Sequence, residues 1–92
     1  MSAANLTPAQ RRAAFARANA VALADTAAVL RTAAQHESHT DPARGDLGKA
    51  QASLLDAVSR HVATMPHEIV SEALAVVTAV DRLTGNRRTA GT

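Results

Sequence analysis

The chain contains no cysteine, no tryptophan and no tyrosine, and Phe15 is its single phenylalanine. Without cysteine there is no disulfide framework, no thiolate metal centre and no thiol nucleophile, and the redox compartment is left open. With Phe15 alone there is no row of aromatic platforms on which successive bases of a single-stranded nucleic acid would stack. Lysine occurs once, as Lys49, against nine arginines. No Gly-x-Ser-x-Gly elbow is present. No stretch approaches the ~20 consecutive apolar residues of a membrane span, and no hydrophobic run precedes the arginines of MSAANLTPAQRR. These features lead us to expect a cytoplasmic protein that does not enter a membrane. The arginine bias and abundant alanine suggest a GC-rich bacterial source.

What is present is alanine. Of 43 apolar residues in a chain of 92, 23 are alanine, and apart from Met1 only 19 are Leu, Val, Ile, Phe or Met. Alanine favours helix and lets helices approach closely. At about 1.5–3 kcal/mol per large side chain fully buried, the core is adequate but thin. Domains of this size often gain stability by oligomerising.

The apolar spacing is helical throughout. Thr7-Pro8-Ala9-Gln10 is a helix start, with Thr7 as cap, Pro8 at the first helical position and Gln10 completing a capping box. The pattern then continues without Gly or Pro to about Glu37, with Phe15, Ala22, Val29 and His36 recurring every seven residues beside Leu23 and Leu30. Residues 38–46, SHTDPARGD, concentrate turn-forming side chains. Asp41-Pro42 suits an early turn, and Asp46 suits the cap of a second helix over 46–64 with Leu47, Leu54, Leu55, Val58, Val62 and Met65 on its apolar side. Asp56 and Arg60 form an i,i+4 pair within it.

Pro66 interrupts the pattern. The expected third helix, 66–84, has Met65 as cap, Pro66 as first residue and Gly85 as left-handed terminator. Its seam is Ile69, Ala73, Val76, Val80 and Leu83, with Val70, Leu74 and Val77 in the next row. This face is too wide for one partner helix, so the third helix is expected to organise the rest. A single kinked helix over 47–84, giving a helical hairpin, is the alternative. Residues 1–6 and 86–92 read as disordered ends.

Charge is segregated. Residues 1–36 carry four arginines against Asp25 (+3), residues 37–81 three basic against seven acidic side chains (−4), and residues 82–92 three arginines (+3). Arg11, Arg12 and Arg17 at one end, with Arg82, Arg87 and Arg88 at the other, are the candidate nucleic-acid contacts. His36 and His39, near Glu37 and Asp41, with His61 and His67 around Pro66, are the only candidates for a metal-dependent site. His67-Glu68 opens like a zinc-protease motif, but Ser71 stands where the second histidine would be. Gly45 to Lys49 faintly resembles a phosphate loop, yet Ala43 and Ala50 replace its required residues. Arg44-Gly45-Asp46, an adhesion-type tripeptide, is best taken as chance.

These observations predict an all-α fold, an antiparallel bundle of three helices at 8–37, 46–64 and 66–84 completed by homodimerisation. The expected function is non-enzymatic assembly with itself or a helical protein partner, without cofactor, metal or catalytic residue. Its surface is expected to comprise Phe15, Val29, Leu54, Ile69, Val76, Val80 and Leu83. A small DNA-binding regulator using the arginine clusters is the first alternative, and metal-dependent activity at the histidines the second.

Overall fold

The computed structural model describes residues 6–85, which form three α-helices and no strand. Helix α1 spans Pro8–Glu37, α2 Pro42–His61 and α3 His67–Thr84, with a 3-10 turn at Val62–Thr64 between the last two. The expected disorder at 1–6 and 86–92 falls outside the described residues except at Leu6, which is half-buried.

Helix α1 begins with the expected capping box. The Gln10 amide donates to Thr7 Oγ1 at 3.1 Å, and the Thr7 amide donates to Gln10 Oε1 at 2.8 Å. Two of the amides that a helix N-terminus leaves unpaired are thereby satisfied. At its other end the chain turns within four residues. The Ser38 amide and hydroxyl both donate to the Ala34 carbonyl, at 2.9 and 2.8 Å, and the Asp41 amide donates to the Glu37 carbonyl at 2.8 Å.

Helix α2 starts four residues earlier than the expected 46. Asp41, not Asp46, is its cap, accepting from the Arg44 amide at 3.3 Å, and Pro42 occupies the first turn. The physical reason lies in Gly45, which reads as loop punctuation but is buried inside the helix. A Cβ at Gly45 would collide with the Ser38 side chain and lie 2.9 Å from Ser38 Cα. One turn on, a Cβ at Gly48 would come within 2.8 Å of Ala34 Cβ. Both glycines remove side-chain bulk so that α2 can lie directly on the end of α1.

Away from the turn the facing residues grow larger. Leu23 and Ala27 of α1 meet Ala52, Leu55 and Val58 of α2, and Ala73 and Val77 of α3 join them. The buried stripe of α1 is therefore Leu23, Thr26, Ala27 and Ala34, the row beside the expected Phe15–Val29 heptad. On α2 the buried residues are Gly45, Ala52, Leu55 and Val58, leaving Leu47 and Leu54 exposed.

Helix α2 also ends earlier than expected, at His61. Pro66, with extended backbone (φ −53°, ψ 137°), precedes α3 as its cap, and the first helical residue is His67 rather than Pro66. The segment is two helices separated by a break, not one kinked helix. Gly85 takes the expected left-handed conformation, φ 71°.

The expectation that the third helix organises the molecule is overturned. Helices α1 and α2 pack in opposite directions along most of α2, whereas α3 leans on them through Val70, Ala73 and Val77. The molecule is correspondingly flat, with extents of 52 × 31 × 17 Å and a radius of gyration of 15.1 Å. A compact chain of this length would have a radius of gyration of about 12 Å.

Candidate functional site

Helix α3 has two apolar faces and covers only one. Val70, Ala73 and Val77 are buried. The row beside them stays open, with Ile69 46%, Val76 40% and Leu83 87% exposed and Val80 half-buried. The expected seam thus shares only Ala73 with the buried face. Helical geometry explains the ambiguity: Ile69/Val70 and Val76/Val77 are adjacent pairs, and a rotation of 100° exchanges one row for the other. The two inner valines stabilise the docked helix by roughly 3–6 kcal/mol at most. The outer row carries at least as much large aliphatic side chain.

None of the seven residues expected to form the interaction surface is buried. Phe15 and Leu54 are 65% and 64% exposed, and Val29 is half-buried. They lie on three helices, Ile69, Val76, Val80 and Leu83 along one face of α3. Val21 and Leu47 are also exposed, at 59% and 60%; Leu47, expected on the apolar side of α2, faces water instead, and neither residue belongs to the expected interaction surface.

Phe15 belongs to a groove. The N-terminal part of α1 and the chain around Pro66 enclose a cleft of about 620 Å³. Phe15, Ala16, Val62, Met65 and Val70 give it an apolar lining, and Arg11, Arg12, Asn19 and His67 bring polar groups to it. Sequence reasoning missed this site, because its two walls are separated by more than forty residues. The one local signal was the i,i+4 relation of Arg11 to Phe15.

The cationic side of the groove has no counter-charge within the described chain. Arg11 and Arg12 sit in the first two turns of α1, where the macrodipole disfavours cations, and no acidic side chain lies in the first turn. Ion pairs form elsewhere, Arg44 Nε to Glu37 Oε1 at 3.4 Å and Arg60 Nη1 to Asp56 Oδ2 at 3.1 Å. Both are largely exposed and contribute little.

The arginines are not gathered into one patch. Helix α3 begins beside Arg11 and Arg12 and runs away from them, so Arg82 lies roughly 20 Å along its axis. Arg17 is exposed on α1, and Arg87 and Arg88 lie outside the described residues. The histidines are separated as well. His36 and His39 flank the α1–α2 turn, while His61 and His67 stand at the opposite end of the hairpin. Glu37 is paired with Arg44, and Asp41 caps α2. Among the described residues no three His, Asp or Glu side chains are grouped so as to hold a metal ion.

By length and composition α1 is apolar enough to cross a membrane, which counting consecutive apolar residues did not reveal because the hydropathy is spread over alanines. Insertion energetics weigh the other way. A Leu, Val or Phe at mid-helix contributes roughly −0.3 to −0.6 kcal/mol and an Arg or Asp roughly +2.5 to +3.5. Phe15, Val21, Leu23, Val29 and Leu30 do not offset Arg17 and Asp25.

The chain matches no protein-family model, no curated protein and no solved structure.

Proposed function

We propose that this protein is a non-enzymatic assembly module, working by self-association through the outer face of α3. The observation that carries this reading is the open row Ile69, Val76, Val80 and Leu83 on a helix whose other face is already packed. Two copies joined there would bury large aliphatics that now face water, at roughly 25 cal/mol per Å² of apolar surface, and would complete a closed antiparallel bundle from two open ones. A thin alanine-rich core gives the isolated chain little stability to spare.

The test is a Val76→Asp/Val80→Asp double variant. It should retain its helicity, because neither position belongs to the buried core, and should lose its oligomeric mass in native mass spectrometry. A folded double variant of unchanged oligomeric mass would remove the proposal.

The second reading is a DNA-binding regulator. It is favoured by Arg11 and Arg12, side by side at the groove without acidic partners.

A further inference from the structure

We infer that the occupant of the Arg11–Arg12 groove is α3 of a second copy, docked reciprocally. This rests on the self-association proposed above and specifies what the outer face of α3 meets. On that face the spacing places Glu72 between Ile69 and Val76, one turn from each, with Glu68 at its edge. Glu68 and Glu72 are exposed and form no ion pair or hydrogen bond among the described residues. The first three turns of α3 therefore present two carboxylates and two large aliphatics together. The groove presents the complement: an apolar lining of Phe15, Val62, Met65 and Val70 beside Arg11 and Arg12. Docking would place Ile69 and Val76 against Phe15 and Met65 and the carboxylates against the guanidiniums, which pair with carboxylates in a bidentate fork. It would also supply negative charge at the start of α1, where the macrodipole favours it.

Position on the surface selects a second copy over an unrelated partner. Val70 and His67 line the groove, and Ile69 is exposed on the same turn of α3. Groove and plug are therefore neighbours on one molecule. A two-fold axis between them lets each copy insert its own α3 while receiving the other's, the closed self-complementary contact of a symmetric dimer. The opposite signs of residues 1–36 and 37–81 act in the same direction.

Charge exchange tests this on the full chain. Arg11→Glu/Arg12→Glu gives a molecule whose groove and α3 both repel a second copy of itself, and Glu68→Arg/Glu72→Arg gives the opposite-sign equivalent. Each variant alone should dissociate at least about tenfold more readily than the parent chain. Mixed in equal amounts at low salt, the two should form a heterodimer resolved by mass, because both grooves then meet the opposite charge. All four positions are exposed, and circular dichroism should show helicity like that of the parent. Phe15→Ala, which removes the groove's phenyl ring without touching charge, should also weaken the dimer.

A parent dimer that Val76→Asp/Val80→Asp dissociates but that neither charge variant nor Phe15→Ala weakens would overturn reciprocal docking and leave self-association standing. Variants that each dissociate yet do not recombine would likewise overturn it. A parent chain that is monomeric at every concentration would overturn both.

Discussion

The α1–α2 hairpin and α3 solve the same problem with opposite materials. At its turn the hairpin is held by small residues, Ala34 and Ser38 against Gly45 and Gly48, which allow backbones to approach until a single added Cβ would collide. Helix α3 brings large aliphatics, yet it is the least covered of the three and leaves half of them facing water. Close approach gives the hairpin shape specificity at its turn, and Leu23, Leu55 and Val58 beyond the turn supply its buried apolar area. Aliphatic bulk gives α3 area with nothing in the same chain to cover its outer row. The difference separates the part of the molecule that fixes its own fold from the part that is open to another surface.

The largest effect is expected where the hairpin is tightest. Gly45→Val should destabilise the protein by about 3 kcal/mol or more, against the gain in helix propensity that replacing a helical glycine usually brings. Urea unfolding would show it as a lower midpoint, and a neutral or stabilising outcome would mean that the helices do not meet at Ser38. A paired substitution sharpens the contrast within α3. Val77→Ala, on the buried face, should cost about 2 kcal/mol through lost burial and the cavity left behind. Val76→Ala, one residue earlier, should cost less than about 0.5 kcal/mol in dilute solution and more at concentrations where copies associate. Equal costs at all concentrations would erase the distinction between the faces. Between these two in size, Thr7→Ala should cost about 1 kcal/mol by opening the capping box of α1, read as a modest fall in the thermal midpoint.

Local chemistry was legible in the sequence where one signal had one meaning. Thr7-Pro8-Ala9-Gln10 fixed the start of α1 and Gly85 ended α3 in the left-handed conformation, whereas Pro66 suited either a break or a kink and proves to be the cap of α3 rather than its first residue. Legibility failed where a residue had two possible roles. Gly45 has the same local preference whether it opens a loop or admits a neighbouring helix, and only the approach of Ser38 decides between them, so α2 starts at Pro42 rather than 46. On α3 the rows Ile69/Val76 and Val70/Val77 are equally apolar, and periodicity supplies no phase. Which row faces inward is set by Leu23, Leu55 and Val58 on other helices. The groove was out of reach for the same reason, since Arg11 and Phe15 meet Met65 and Val70 only after folding.

The central claim is that the open face of α3 is an association surface, and native mass spectrometry of the untagged chain over a range of concentrations tests it most directly. The account predicts a dimer without adducts that dissociates on dilution. A monomer throughout, or a species carrying bound nucleic acid or metal in place of a second copy, would contradict it.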